Sequence, residues 1–229
     1  SEDGKCVIDI EGKKGEQTLE ADVVLSAVGI KSNIEDMGLE ELGIEVERDK
    51  IKVDEHYKTS VDGVYAIGDI IATPALAHVA SAEAIHCVEH ICGLKPEAVD
   101  YSTIPSCIFT SPEVASVGLT EAQVKAQGIE YKVGKFPYTA SGKATAAGER
   151  DGFAKLIFDA DEKLLGAHSV GHYVTEMIGE PTLAKVLGVN AHRIARTIHA
   201  HPSMHEAVME AAEDALGGAI HMYFSLIRP

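Results

Sequence analysis

The hydrophobic pattern of this chain changes near Tyr101, and that change most narrows the folds it can adopt. Before Tyr101, apolar segments that lead to a glycine predict buried strands. The predicted strands are residues 5–10, 22–28 and 64–68. A helix is predicted next, with Thr73 as its N-cap, Pro74 in its first turn and Gly93 after its end. Strands followed by a helix in this order predict an α/β layer.

Beyond Tyr101 the pattern predicts antiparallel hairpins with helices between them. The hairpin strands are residues 107–110 with 114–117, and residues 153–158 with 164–170. The predicted helices are residues 120–128, which a capping box of Thr120 and Gln123 opens, and residues 182–187, 191–199 and 203–216. We therefore expect an α+β domain in which helices flank an antiparallel sheet.

Charge and composition exclude several classes of function. The chain has 229 residues, of which 45% are hydrophobic, so it can bury one or two cores. A net charge of −16 argues against nucleic acid or an anionic membrane as the main partner. No apolar run reaches the roughly 18 residues that a membrane helix needs. Four cysteines are too few for a disulfide scaffold, so we expect a soluble protein of a reducing compartment.

The first residues and the glycine pattern predict that part of the parent protein is missing. The chain starts at Ser1 without an initiator methionine and opens on an acidic, strand-like stretch, as a fragment or a processed product does. The sequence contains no G-x-G-x-x-G, which is the usual phosphate cradle of dinucleotide sites. We therefore expect no complete dinucleotide site in this chain alone.

The segment from Thr59 to Asp69 predicts a ligand site at the end of a strand. Its apolar part leads to Gly68, which lets a ligand approach the backbone, and the Asp69 carboxylate follows. Ligands of α/β sheets bind at the carboxyl ends of strands, where a carboxylate can accept hydrogen bonds from hydroxyl groups. Taken alone, the segment is more often explained by an aspartate that only caps a turn after the strand.

A second candidate site lies near the end of the chain, where His201-Pro202 precedes Glu206. Neutral imidazole can take a proton from a thiol, and a neighbouring carboxylate fixes the tautomer of the imidazole and stabilises its cation. Two alternatives remain open here. Ser203 and Glu206 have the spacing of a capping box. The second alternative is a zinc site that includes His201 and His205, although Pro202 stands where the zincin pattern requires glutamate.

Cys87 and Cys92 have the spacing of a redox disulfide, but both fall in the predicted helix. Five residues of helix turn through about 500°, so the two thiols point about 140° apart and cannot form a disulfide. We therefore expect both to be small buried apolar residues. Cys6 and Cys107 have no recognisable partner.

These motifs resemble the pyridine-nucleotide disulfide oxidoreductase family, and within it the dihydrolipoamide dehydrogenases. Thr59 to Asp69 is similar to the second flavin-binding motif, and His199-Ala200-His201-Pro202-Ser203-x-x-Glu206 is similar to the His-Ala-His-Pro-Thr-x-x-Glu motif. Further stretches also match: Ile104–Ser106, Thr110–Ala115, Leu165–His168 and Glu176–Ile178. The chain departs from the family at Ser203, and at Ile30-Lys31-Ser32-Asn33, where Arg-x-Pro-Asn is usual.

The resemblance implies a role for each candidate residue. Asp69, after Gly68, binds the ribityl chain of FAD, and the helix start at Leu76, Ala77 and His78 lies against the flavin ring. There the free amides stabilise negative charge. His201 is the acid/base and Glu206 its partner, and the histidine serves the disulfide of the other subunit of a homodimer.

The resemblance also implies a domain organisation and partners. Residues 1–33 end a nicotinamide-binding domain, residues 34–100 are the C-terminal part of an FAD-binding domain, and residues 101–229 form a dimerisation domain. FAD and NAD are the cofactors, both with incomplete sites in this chain. The parent enzyme oxidises dihydrolipoamide on a lipoylated acyltransferase complex, in a bacterial cytoplasm or a mitochondrial matrix. We expect the dimer interface to use Ala211, Ala212 and Ala215 of the last helix.

Other readings stay open at this point. A glutathione reductase shares the histidine-proline end, but His199-Ala200 before it and Ala207-Val208 after it favour a dihydrolipoamide dehydrogenase. A mercuric reductase would carry cysteines in its tail, and this tail has none. In a different class, the chain is only a dimerisation module without catalytic activity. The tail beyond Gly218 has no assigned role.

Overall fold

The computed structural model of the chain describes residues 4–13 and 15–222. The chain divides into two compact units, Ser1–Glu97 and Ala98–Pro229. No helix among the described residues is long and apolar enough to cross a membrane.

The described residues of the first unit form two small antiparallel ladders and one α-helix. Strands β1 (Cys6–Gly12) and β2 (Gly15–Ala21) form a hairpin, and β3 (Val46–Glu47) pairs with β4 (Lys50–Ile51). A 3₁₀ turn at Gly68–Ile70 precedes helix α1 (Ala77–Ile91). The buried apolar side chains of this unit include Ile44, Ile51, Tyr57, Ile71 and Val79.

Two of the strands predicted in this unit are wrong. Residues 22–28 form no strand, and their apolar side chains are exposed, with Leu25 at 87%. A strand buried on both faces needs neighbouring strands and covering layers, and within the described residues none lies beside this segment. Residues 64–68 contribute only an isolated bridge between Tyr65 and Lys58.

Helix α1 begins later than predicted and ends where predicted. Leu76 is extended and occupies the N-cap position, so Thr73 and Pro74 lie outside the helix, and the Thr73 hydroxyl is buried without a partner in the described structure. At the other end Gly93 has a positive φ of 78° directly after the Cys92 C-cap, which is the conformation that favours glycine.

All four cysteines are free, as expected for Cys87 and Cys92. Cys87 is buried, and burial raises the pKa of its thiol. The expectation that Cys92 is also buried is wrong, because Cys92 is the C-cap residue of α1 and is exposed.

The second unit is built on a five-stranded antiparallel sheet in the order β5-β6-β9-β8-β7. Its strands are β5 (Ser106–Ile108), β6 (Glu113–Gly118), β7 (Tyr131–Pro137), β8 (Phe153–Asp159) and β9 (Leu164–Gly171). The two predicted hairpins are confirmed as β5–β6 and β8–β9. The predicted antiparallel sheet with flanking helices is therefore confirmed for this unit.

Six helices flank the sheet in the described part of this unit. They are α2 (Glu121–Ala126), α3 (Gly142–Ala147), α4 (Val174–Met177), α5 (Gly179–Val186), α6 (Ala191–Arg196) and α7 (Glu206–Ala215). Both halves of the predicted capping box of α2, from Thr120 and Gln123, are present. Helix α6 ends earlier than predicted, and α7 begins three residues after the predicted Ser203.

Helix α7 packs on β7, and this contact corrects the prediction for its alanines. Ala211 and Ala212 are fully buried within the protomer. The Ala211 carbonyl lies so close to Gly134 of β7 that an added Cβ on the glycine would be 1.7 Å from that oxygen. The close backbone approach involves Ala211 inside the chain. Ala211 and Ala212 are both fully buried in the protomer and are not available as an intersubunit surface.

Candidate functional site

A buried carboxylate on α1 stabilises the turn that carries Asp69. Gly68 has a φ of 72°, and its amide donates a 2.7 Å hydrogen bond to Oε2 of Glu83 on α1. Glu83 is fully buried. A Cβ on Gly68 would lie 3.1 Å from the Ala80 Cβ, so the turn sits closely on the helix. A residue with a side chain at position 68 would strain both the backbone and this contact.

Two side chains donate hydrogen bonds to the carbonyl oxygen of Asp69. It accepts hydrogen bonds from Ser32 Oγ at 3.1 Å and from Lys50 Nζ at 2.7 Å. The Ser32 amide donates to Asp49 Oδ2, and this bond holds the pKa of Asp49 below its usual range. The backbone of the turn is thereby fixed, and the side chain of Asp69 is exposed.

The start of α1 offers backbone donors close to this turn in sequence. Leu76 at the N-cap is apolar, and its side chain makes no capping hydrogen bond. Ala77 and His78 in the first turn are exposed. The N-terminus of a helix carries partial positive charge and can bind an anionic group.

In the second unit, His201 and Glu206 form a pair. His201 Nδ1 lies 2.8 Å from Glu206 Oε1, and the histidine side chain is 78% exposed. A carboxylate only accepts hydrogen bonds, so Nδ1 carries the proton and Nε2 of the neutral ring has a lone pair. The ring is therefore oriented by Glu206 while its second nitrogen can act as a base towards a group in solvent or on a partner.

The second oxygen of Glu206 ties the pair to the backbone. Oε2 accepts a 2.8 Å hydrogen bond from the Ser203 amide, which is one half of the expected capping box. The other half is not formed, because the Ser203 hydroxyl is buried without a partner in the described structure. Partial burial favours a higher pKa for Glu206, but the bonds from Ser203 and His201 outweigh it and hold the pKa below its usual value.

A further carboxylate, Glu180 of α5, lies between two other histidines of this segment. Glu180 Oε1 is 2.7 Å from His199 Nε2, and Oε2 is 2.9 Å from His205 Nδ1. Burial favours a higher pKa for Glu180, but the two histidine bonds outweigh it and lower the pKa. The bond to Glu180 raises the pKa of His199.

A groove of about 370 Å³ opens beside His201 and Glu206. Its walls include Phe136, Met209 and a second histidine-glutamate pair, in which His221 Nδ1 lies 2.5 Å from Glu210 Oε1. Among the residues that the structure describes, no group of three or more histidine, cysteine or acidic side chains could hold a metal ion.

The structure places the sequence-predicted residues in two groups, one in each unit. Gly68 and Asp69 share the first unit with Leu76, Ala77 and His78, and His201 pairs with Glu206 in the second. Sequence reasoning missed the supporting residues Ser32, Lys50, Glu83 and Glu180. Of these four, only Glu83 could have been recognised from the sequence, because it is an acidic residue at helical spacing within the buried face of α1, together with Val79, His86 and Cys87.

Comparison with known families matches both units to one family. Residues 1–84 match "Pyridine nucleotide-disulphide oxidoreductase", and residues 104–212 match "Pyridine nucleotide-disulphide oxidoreductase, dimerisation domain".

Curated relatives of the chain are named dihydrolipoyl dehydrogenase. One from Bacillus subtilis is 47% identical over 217 residues, which cover 93% of this chain and 46% of the relative. One from Chlorobaculum tepidum is 48% identical over 201 residues, which cover 87% of this chain and 43% of the relative. The chain thus spans about half the length of the curated relatives it matches.

Two solved structures have a similar fold. LpdA from Mycobacterium tuberculosis is 26% identical, with a TM-score of 0.80 over 88% of this chain and 44% of that protein. The Cu(II) complex of the HOCl-induced flavoprotein disulfide reductase RclA from Escherichia coli is 22% identical, with a TM-score of 0.85 over 92% of this chain and 48% of that one. The second likeness concerns the fold alone.

Proposed function

This chain belongs to the pyridine nucleotide-disulphide oxidoreductase family, and from that premise we propose that it is the C-terminal part of a dihydrolipoyl dehydrogenase. The parent protein oxidises protein-bound dihydrolipoamide and passes the electrons through a disulfide and FAD to NAD. The identity of 47% to a protein of that name supports this choice. Residues 1–33, 34–100 and 101–229 are then its nicotinamide-binding, FAD-binding and dimerisation parts.

The observation that carries the proposal is the exposed His201 ring with its Nδ1 held 2.8 Å from Glu206. Nε2 of the neutral ring accepts the proton of a substrate thiol, and the resulting thiolate is the nucleophile towards a disulfide. The positive charge that forms on the imidazole is stabilised by the ionised Glu206, whose pKa lies below its usual value. The same nitrogen returns the proton when the reaction runs in reverse.

The residues of the first unit fit a flavin. The Asp69 carboxylate is exposed on a turn whose backbone Glu83, Ser32 and Lys50 fix, so it can accept hydrogen bonds from ribityl hydroxyls without moving the chain. The start of α1, from Leu76 to His78, lies at the positive end of the helix and suits the negative charge of a reduced ring. When bound, FAD supplies the electron acceptor between the thiols and NAD. Gly68 and Asp69 with Leu76, Ala77 and His78 are the proposed contacts.

The proposal includes a homodimer. The match to a dimerisation domain over residues 104–212 supports it, and His201 of one subunit then serves the disulfide of its partner. The lipoylated acyltransferase complex is the proposed larger partner. The bacterial cytoplasm is the proposed location, because the similar relatives are bacterial; a mitochondrial matrix is the alternative.

Substitution of His201 by glutamine in the full-length protein tests the catalytic assignment. We expect kcat for dihydrolipoamide oxidation to fall by about 10²–10⁴-fold, which is the contribution of a positioned acid/base group. The measurement is steady-state NAD reduction with dihydrolipoamide as substrate.

His192→Gln is the matched control, because the His192 ring is also exposed and paired with a glutamate, Glu162 at 3.3 Å. This variant should retain full activity. A rate for His201→Gln close to that of the unmodified protein would contradict the assignment. Reduction of glutathione disulfide without oxidation of dihydrolipoamide would instead favour the glutathione-reductase-like alternative.

A further inference from the structure

We propose that Glu180 is a positioning residue for His201, and that its carboxylate holds both ends of the segment His199–His205 that carries this base. The inference rests on the proposed role of His201. Glu180 belongs to helix α5 (Gly179–Val186) and is 19 residues before His199 in sequence, so no local motif includes it.

The geometry shows one carboxylate shared by two histidines on either side of His201. Oε1 of Glu180 lies 2.7 Å from His199 Nε2, two residues before His201. Oε2 lies 2.9 Å from His205 Nδ1, four residues after it. A single side chain on a helix thus links the beginning of the segment to its end.

The two hydrogen-bond partners of His199 determine the charge of its ring. His199 Nδ1 lies 2.9 Å from the Thr197 carbonyl, and Nε2 faces Glu180. A carbonyl and a carboxylate both only accept hydrogen bonds, so both ring nitrogens of His199 carry protons and the ring is a cation. The side chain is only 6% exposed, which makes this ion pair stronger than a surface pair.

The segment lies outside regular secondary structure, so side-chain contacts have to fix the position of its backbone. Residues 197–203 adopt no helix or strand between α6 and α7. A catalytic imidazole has to stay within about 0.5 Å of its productive position, which loop backbone alone does not ensure. Glu206 orients the His201 ring directly, whereas Glu180 touches only its flanking histidines and fixes the backbone between them.

The experiment is a double-mutant cycle between Glu180 and His201 in the full-length protein. Glu180→Gln keeps the size of the side chain but removes the charge. It leaves one acceptor oxygen for two histidines. We expect kcat for dihydrolipoamide oxidation to fall about 10–100-fold, as for other residues that support a catalytic group. In a His201→Gln background the same change should have no further effect, because the base that it positions is absent.

A merely structural role would give a different result. It would lower activity by the same factor in both backgrounds, and that outcome, or an unchanged kcat for Glu180→Gln alone, would overturn the proposal. If Glu180→Gln fails to fold, His205→Ala replaces it in the same cycle, because this half-exposed ring forms only one of the two contacts. We expect His205→Ala to lower kcat by a smaller factor than Glu180→Gln, and to lower it no further in the His201→Gln background.

Glu162→Gln is the matched control, since Glu162 pairs with the exposed His192 and not with the segment His199–His205. It should leave kcat unchanged. Histidine NMR titration separates this inference from the proposed function. The proton of His199 should be lost at lower pH in Glu180→Gln than in the control, even if His201→Gln proves neutral. An unchanged His199 titration would show that Glu180 does not hold the segment.

Discussion

At the scale of single residues, the charges of the histidines depend on which carboxylate faces them. The bond to Glu180 raises the folded-state pKa of His199 above 6.5, and the two histidines lower that of Glu180 below 4.5 despite its partial burial. A raised histidine pKa contributes stability that is complete below the unfolded value and is lost as pH rises through the folded value. A lowered glutamate pKa contributes stability that is lost as pH falls through its folded value.

The pair should therefore stabilise the fold most between pH 4.5 and 6.5, the ordinary values of the two groups. We predict that His199→Gln lowers the free energy of unfolding by about 1.5–3 kcal/mol in that window, as for a charged hydrogen bond. The difference should shrink as pH rises above the raised pKa of His199. Urea unfolding of both proteins across this range measures it.

His192→Gln provides the comparison at this scale, because its pair with Glu162 is exposed and contributes about 0–1 kcal/mol at most. A His199→Gln destabilisation that stays constant up to alkaline pH would contradict the assignment of an ion pair. It would indicate that the residue contributes by packing alone.

At the scale of elements, the contact between β7 and α7 sets the position of the helix that begins at Glu206. Gly134 on the strand and Ala211 on the helix allow the two backbones to approach more closely than any larger pair would. Because Glu206 is the first residue of α7, a shift of the helix would also move the carboxylate that orients His201.

We predict that Gly134→Ala destabilises the chain by about 3 kcal/mol or more, because the new methyl group would overlap the Ala211 carbonyl and neither backbone can give way cheaply. Thermal unfolding followed by circular dichroism measures the loss. Gly142→Ala at the start of α3 is the control, since nothing lies within 4 Å of its added Cβ. Equal stability of the two variants would show that the strand and helix do not pack so closely in solution.

At the scale of the whole molecule, each of the two units carries candidate residues of one site, and the second unit contains the five-stranded sheet. The sequence has no G-x-G-x-x-G phosphate cradle. Exposed apolar side chains such as Leu25 and Val28 lie where a predicted strand lacks neighbours within the described structure. The match to a dimerisation domain concerns the second unit alone.

We therefore predict that the purified chain sediments as a dimer and carries no flavin. Analytical ultracentrifugation gives the mass, and visible absorbance reports the flavin. A stoichiometric yellow chromophore that survives purification would contradict the expectation that the flavin site is incomplete. A monomer at all accessible concentrations would argue against a dimer built by residues 104–212 and against the role of His201 across an interface.

The sequence by itself determined the features that neighbouring residues encode. The pair of His201 with Glu206 was expected from the resemblance of its motif to the family. The hairpins β5–β6 and β8–β9 and the capping box of α2 join residues a few positions apart. Alternation and capping spacings record such contacts directly, so they could be predicted.

Only the tertiary structure decided which distant residues meet. Glu180 reaches His199 and His205, Glu83 reaches the Gly68 amide, and the backbone of Ala211 in α7 meets Gly134 within the chain. No periodicity encodes these contacts, because they arise when separate elements pack. Residues 22–28 show the converse: an apolar segment becomes a buried strand only where neighbours supply hydrogen bonds and cover.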